Sequence, residues 1–256
     1  MDHQEDPQCA EFRERWRSRP LYDGRIEFLG DAGGFGSSPQ RVRLLPSGCI
    51  AYAKRAVNAA QTPEGAHEYL AAELAHLIGV PVPPVGFWHD TRGQHFSLSI
   101  RAFPEAVHWD EIEVSKADRE ALRPIFSASA VFHAWIADSD HAAHPENLVV
   151  NANYPEGQPQ VAFIDHAVSL TAAWHPGDET ATLPQEYYIE PDEILRESVL
   201  DTIRRIHGVS ERVRESMISR VPPSLLPAAQ RTTILECLRC RARELRSAFV
   251  KAPGES

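Results

Sequence analysis

Apolar and polar positions follow a strand-like pattern over residues 25–60. The alternation covers residues 25–29 and 41–45, which a glycine-rich turn separates, and a third apolar run over residues 50–55 follows a Pro-Ser-Gly turn. Strand, turn, strand, turn and strand in succession form the pattern of an antiparallel meander. A second hairpin is predicted over residues 86–103, with its turn at residues 90–93. The beginning of the chain is therefore predicted to be rich in β-structure.

Helical spacing of apolar residues first appears inside this region and then dominates the rest of the chain. Pro63 and Glu64 are typical of a helix start, and the helical spacing continues as far as Gly79. The proline-rich residues 80–85 cannot continue that helix and must be extended. Further helices are predicted over residues 116–138, 192–207 and about 224–250, with two short strands over residues 147–150 and 160–164.

The predicted secondary structure changes in character near residues 104–110. We therefore predict an α+β fold of two lobes. The first lobe, residues 1–105, would hold an antiparallel sheet plus one helix, and residues 1–20 would form a short helix or a frayed tail. The second lobe, residues 106–256, would be mainly helical, with polar loops next to its short strands.

Composition narrows the classes of function. Asp and Glu outnumber Lys and Arg by 36 to 26, which gives a net charge of −10 and argues against a general nucleic-acid binder. No apolar run reaches the length of a membrane span, and the acidic N-terminus does not have the pattern of a secretory signal. Four cysteines in 256 residues are too few for a disulfide framework, so a reducing, cytoplasmic setting is expected.

Residues with a potential role in phosphate chemistry follow one another in a suggestive order. A glycine-rich turn comes first, then a lysine on the strand that closes the meander, an acidic residue on the next helix, and polar residues around the two short strands. In chain order these are Gly33, Gly34, Gly36 and Ser37, then Lys54, one of Glu64, Glu68 and Glu73, then Asp138 or Asp140 with Asn147, and Asp165.

Each of these residue types has a task in phosphoryl transfer. Backbone N–H groups of a glycine-rich loop can approach phosphate oxygens closely, and a lysine held by a helix glutamate can neutralise the phosphates. An aspartate can orient the attacking hydroxyl and accept its proton. An asparagine and a second aspartate offer the hard oxygen ligands that Mg²⁺ prefers. The order is therefore suited to phosphoryl transfer from a nucleotide.

Three segments carry a resemblance to a known family. Lys54 and residues 67–84, which end in Leu-Ile-Gly-Val-Pro-Val-Pro-Pro, resemble the region that follows the ATP lysine in HipA-like kinases. Residues 135–150 resemble the catalytic loop of that family, and residues 163–166, Phe-Ile-Asp-His, resemble its metal-binding segment. The similarity runs in order from about residue 28 to residue 170 and implies a protein-kinase-like fold. Phosphoinositide kinases share the same general plan.

The resemblance also implies roles for individual residues. Lys54 would contact the ATP phosphates with Glu68 as its ion-pair partner, and Asp140 would be the catalytic base. Asn147 and Asp165 would ligate Mg²⁺. The hinge that receives adenine would include Arg101 and Phe103. The implied phosphate acceptor is a serine or threonine of a protein.

The catalytic loop departs from the family pattern. Asp140 precedes Asn147 by seven positions, whereas the family has five, and the pair Ala142-Ala143 has the character of an insertion. Asp138 is therefore an alternative base. Two further hypotheses remain on the same fold: a small-molecule or lipid kinase, and a pseudokinase that binds nucleotide without turnover. An adaptor without a nucleotide site is a fourth.

Two other groups of residues have simpler explanations. Asp138, Asp140, His141 and His144 could form a metal cluster with Asn147, but no cysteine or second tight ligand pair lies nearby to complete a zinc site. His144 is instead expected to hold the loop by hydrogen bonding. Cys237 and Cys240 lie within a predicted helix and have no second pair, so packing is their expected role.

Overall fold

A computed structural model describes residues 7–32, 39–56, 63–138, 140–141, 143–155, 157–170, 189–190 and 192–249. The helices in these ranges are α1 (Pro7–Ser18), α2 (Glu64–Ile78), α3 (Lys116–Ile136), α4 (Arg196–Gly208), α5 (Glu211–Arg220) and α6 (Ala228–Phe249). The strands are β1 (Arg25–Asp31), β2 (Gln40–Leu45), β3 (Ile50–Arg55), β4 (Val85–His89), β5 (His95–Ile100), β6 (Ala106–His108), β7 (Leu148–Asn151) and β8 (Val161–Phe163).

The first sheet contains the meander and the second hairpin that the sequence predicts. Its strands run in the order β1-β2-β3-β5-β4, and every neighbouring pair is antiparallel. Alternate side chains of a strand point to opposite faces. Ala53 and Leu98 lie in the apolar cluster on the α1 face, whereas Phe87 packs its ring against Tyr69 of α2. Lys54, one residue after Ala53, therefore points towards α2.

Helix α1 covers one face of this sheet. Its apolar residues Cys9, Phe12 and Trp16 are buried against β-strand residues, so the segment is a packed helix and the sheet has two helices where the sequence predicted one. The charged residues between these apolar positions hide the helical period in the sequence. Trp16 lies so close to β4 that only a residue without a side chain fits at Gly86.

The rest of the described chain is mainly helical, as predicted, with a second, three-stranded sheet in the order β6-β7-β8. Strand β6 and helix α5 were not predicted, because three residues carry no measurable period and α5 is largely polar. Trp135 near the end of α3 is fully buried and donates its indole N–H to the carbonyl of Leu238 in α6 at 3.0 Å. Among the described residues, no helix is long and apolar enough to cross a membrane.

Helix α3 ends two residues earlier than predicted. Ala137 follows it in the left-handed conformation, with φ of 51°, and its N–H bonds back to the last turn of the helix. The predicted end at Asp138 is therefore wrong, because the chain leaves the helix at Ala137 and turns Asp138 into the following loop. This early end places Asp138 in the buried interior, beside the loop that carries Asp140.

The contact between Trp16 and Gly86 gives a test of the packing of α1. A Cβ added at Gly86 would lie 2.5 Å from the Trp16 ring, so Gly86→Ala must displace a fully buried indole. We expect a loss of about 1–3 kcal/mol in the free energy of unfolding, measured by urea denaturation. Gly208→Ala at the end of α4 is the control, since its Cβ meets nothing within 4 Å. Equal midpoints for the two variants would contradict the described packing.

Candidate active site

Three elements that are distant in sequence meet at one ammonium group. Lys54 Nζ on β3 lies 2.9 Å from Glu68 Oε1 on α2 and 2.6 Å from Asp165 Oδ1 just after β8. The Lys54 and Glu68 side chains are 19% and 6% exposed, whereas Asp165 is 38% exposed and opens to solvent. The structure thus brings together three of the residues that the sequence singled out.

A second hydrogen bond orients the glutamate. Ser97 stands opposite Lys54 in the pairing of β3 with β5, and its hydroxyl donates to Glu68 Oε2 at 2.9 Å. Each carboxylate oxygen of Glu68 therefore has its own partner on the sheet. Ser97 was not predicted as a site residue, because its position opposite Lys54 depends on strand register.

The carboxylates keep the lysine charged. Burial alone would lower the pKa of Lys54, but Glu68 and Asp165 raise it above its ordinary value. Burial likewise favours a raised pKa for Asp165, yet Lys54 brings the net pKa of that carboxyl below its ordinary value. Lys54 and Asp165 therefore form a charged pair at neutral pH.

The backbone at Asp165 aims its carboxylate. Its φ is +62°, in the left-handed region that aspartate tolerates better than most residues. The preceding N–H, that of Ile164, donates to the carbonyl of Asn147 at 2.8 Å. The segment after β8 is thus fixed directly against the loop that carries the predicted base and metal ligand.

Asp140 and Asn147 contact each other despite the additional residues between them. Asn147 Nδ2 donates to Asp140 Oδ2 at 2.9 Å, and His144 Nε2 lies 3.5 Å from Asp140 Oδ1. The N–H groups of Ala143 and His144 both donate to the carbonyl of Asp140, and the N–H of Asn147 donates to that of His144. These consecutive tight turns take up the extra length.

His144 also contacts Glu146, as expected for a residue that holds the loop. Its Nδ1 lies 2.9 Å from Glu146 Oε1. The pKa of His144 is raised by that hydrogen bond first and by Asp140 second. The imidazole therefore provides a positive charge near Asp140 over a wider pH range than an isolated histidine would.

Asp138 is completely buried, in contrast to Asp140. Its Oδ1 accepts hydrogen bonds from the backbone N–H groups of Asp140 at 3.0 Å and His141 at 3.4 Å. A carboxylate in this position has no exposed surface that a bound hydroxyl could reach, which argues against Asp138 as the base. Its neighbours are the rings of His133, His141 and His166, of which sequence reasoning considered only His141.

The predicted phosphate loop and adenine hinge are less well defined than the ion-pair cluster. Gly33, Gly34, Gly36 and Ser37 lie outside the described residues. The backbone N–H of Arg101 donates to the carbonyl of Ile50 at 3.0 Å, so it is already used within the sheet and is a poor adenine donor. Phe103 is half-buried in a small apolar cluster with Ala102, Val149, Ala162 and Ile164.

His67 joins α2 to the segment that carries Asp165. Its Nδ1–H donates to the carbonyl of Ala167 at 3.2 Å, and burial lowers the pKa of His67 to about 4. The neighbouring Glu68 and Asp165 are the two partners of Lys54. This buried histidine, which sequence reasoning also missed, thus helps to hold both carboxylates at one site.

The lowered pKa of His67 makes stability depend on pH. The unfolded chain binds a proton at this ring below about pH 6.5, whereas the folded chain does so only near pH 4, so stability falls as pH decreases between these values. The loss is at most about 3 kcal/mol. We expect His67→Gln, which cannot titrate, to show a smaller decrease between pH 7 and pH 4 in urea unfolding. Parallel pH curves would contradict this account.

Comparisons with known proteins were made for sequence and for structure. No family model matches the sequence, and no curated protein matches it. The crystal structure of the proinflammatory kinase CtkA from Helicobacter pylori has a TM-score of 0.62 at 14% identity, covering 90% of this chain and 98% of that chain. The chain has a kinase fold. The resemblance to HipA-like kinases therefore predicted the α+β, two-lobe fold correctly.

Two further solved structures are similar to a lesser degree. WaaP in complex with acyl carrier protein has a TM-score of 0.36 at 15% identity, covering 94% of this chain and 97% of that chain. HipA of Shewanella oneidensis MR-1, from a complex with HipB and operator DNA, has a TM-score of 0.48 at 11% identity. The match covers 93% of this chain and 70% of that chain. These two scores are too low to support an argument about this chain.

Proposed function

We propose that this chain is an ATP- and Mg²⁺-dependent kinase that transfers the γ-phosphate of ATP to a serine or threonine hydroxyl of a protein. The observation that carries the proposal is the ion-pair cluster of Lys54, Glu68 and Asp165. A lysine held by a helix glutamate beside a metal-binding aspartate is the arrangement that protein kinases use to hold ATP. The choice of a protein acceptor rests on the HipA-like motifs alone.

Lys54 supplies the positive charge that ATP requires. Its ammonium is held at the boundary between the buried Glu68 and the more exposed Asp165, so phosphate oxygens can approach from the Asp165 side. Glu68 would keep the lysine in place when Asp165 leaves Lys54 to bind a metal ion. The glycine-rich residues 33–38 would cover the phosphates, as the sequence predicts.

Asp165 and Asn147 fit a magnesium ion. Asp165 offers a partly exposed carboxylate. The Asn147 side-chain N–H donates to Asp140, so the amide oxygen of Asn147 points away from Asp140. Hard oxygen ligands of this kind suit Mg²⁺. The ion would neutralise charge on the β- and γ-phosphates.

Asp140 is the base in this proposal. Its side chain is partly exposed and is oriented by Asn147 and His144. The acceptor hydroxyl passes its proton to the Asp140 carboxylate while its oxygen forms a bond to the γ-phosphorus. The bond from that phosphorus to the β–γ bridging oxygen breaks, and ADP leaves with the electron pair.

Adenine would lie against an apolar surface. Phe103 and Ala102 follow the first sheet, and Val149, Ala162 and Ile164 face them from the second. An apolar cluster between two sheets suits the flat face of a purine. Because the Arg101 N–H is engaged with Ile50, the hinge bonds would come from backbone groups after Arg101.

Nucleotide binding tests the ion-pair cluster. We expect Lys54→Met and Asp165→Asn each to weaken Mg²⁺-dependent ATP binding by about tenfold or more, because each removes a charge-assisted contact. Isothermal titration with and without Mg²⁺ measures the effect. Asp110→Asn, an exposed carboxylate outside the cluster, should bind as the wild type does. Unchanged binding in both cluster variants would refute the nucleotide site.

Turnover tests the base separately. Asp140→Asn retains the size of the side chain but cannot accept the proton, so we expect phosphate transfer to fall by about 10²–10⁴-fold while ATP binding persists. Transfer of radiolabelled phosphate from ATP to protein acceptors, including the chain itself, measures the rate. An unchanged rate would contradict the role of Asp140. ATP binding by the wild type without transfer to any acceptor would instead support a pseudokinase.

A further inference from the structure

Three histidines and one aspartate lie together in the interior, behind the catalytic loop. His133, Asp138, His141 and His166 are at most 2% exposed, and their potential ligand atoms all lie within 4.8 Å of one another. His133 belongs to the last turn of α3, Asp138 and His141 flank Asp140, and His166 follows Asp165. None of the four has a task in the phosphate chemistry proposed above.

The three imidazole rings pack directly against one another. Ring centroids are 4.3 Å apart for His133 and His141, 4.5 Å for His141 and His166, and 5.5 Å for His133 and His166. His141 Nδ1 lies 3.1 Å from Asp138 Oδ1. The three rings and the carboxylate therefore form one compact cluster.

Burying so many polar groups is costly unless they are satisfied. Asp138 Oδ2 and His166 Nε2 are buried and have no hydrogen-bond partner among the described residues. A metal ion at the centre of the cluster would give both of these buried atoms a partner.

We propose that His133, Asp138, His141 and His166 bind one zinc ion. Three imidazole nitrogens and one carboxylate oxygen are ligands that zinc accepts, and a closed set of four is typical of a structural site. Zinc–nitrogen bonds of about 2.0–2.1 Å in a tetrahedron leave ligand atoms about 3.3 Å apart. The His141–Asp138 pair is already near that separation, and the widest pair would need to close by only about 1.5 Å.

The zinc ion would tie together the segments that carry the active site. It would join the end of α3, both sides of Asp140 and the residue after Asp165 through four bonds. Zinc is therefore placed to position the predicted base relative to the predicted magnesium ligand without contacting ATP. It differs from the Mg²⁺ site in its ligands, because imidazole favours zinc whereas Mg²⁺ favours oxygen. The inference does not depend on kinase activity.

Metal analysis of the full chain, purified without an affinity tag or chelator, tests the proposal. Elemental mass spectrometry should find about one zinc ion per chain in the wild-type protein. The His133→Asn and His166→Asn variants should contain no zinc. His89→Asn is the control, since His89 is an exposed histidine on β4 far from the cluster in the sequence. Zinc retained by both cluster variants, or lost equally from the control, would mean an adventitious ion only and would overturn the proposal.

A second measurement covers the case in which the cluster variants fail to fold. Metal-free wild-type protein is titrated with zinc, and we expect its melting temperature to rise by about 5 °C or more at saturation. Cobalt added to the same protein should give the visible absorption of a tetrahedral Co²⁺ site. A wild-type protein that binds neither ion with a defined stoichiometry would overturn the proposal, because the four side chains would then form only a hydrogen-bonded cluster.

Discussion

The position of one ammonium group determines how the distant parts of this chain must meet. Lys54 is largely removed from water, and a charged lysine in that position requires opposite charge close by. Glu68 and Asp165 provide it from α2 and from the segment after β8. A buried ion pair is weak evidence for stability, since apolar residues of similar volume would often serve as well. Its presence therefore favours a role in binding or catalysis.

The surrounding fold explains how this meeting occurs. The two-residue period of β3 places Ala53 in the core under α1 and Lys54 on the opposite face, where α2 presents Glu68. Ser97 on β5 and His67 on α2 then bond to Glu68 and Ala167, so both partners of the lysine are held by neighbours outside the cluster. The geometry of the site is thus a consequence of strand register and helix packing.

Much of this arrangement could be predicted from local patterns. The strands of the first sheet, α2, and the order of Lys54, Glu68 and Asp165 follow from alternation, from proline and glycine positions and from motifs. Strand β6 and helix α5 could not be predicted, because their formation depends on partners distant in sequence. The same limit applies to Ser97 and His67, whose contacts depend on register and on a loop one hundred residues away.

The loop that carries Asp140 shows why spacing alone is a poor guide to a site. The extra pair Ala142-Ala143 in the sequence leaves the position of Asp140 open and makes Asp138 an alternative base. The extra length is instead absorbed in turns that close on the Asp140 carbonyl, so Asp140 still reaches Asn147. Asp138 is meanwhile drawn inward among three histidines. Sequence spacing gives no sign of the proposed zinc ligands His133 and His166, which the end of α3 and the segment after β8 bring together. Asp138 and Asp140, only two residues apart, thus differ sharply in exposure, and this difference is the physical ground for proposing different roles for them.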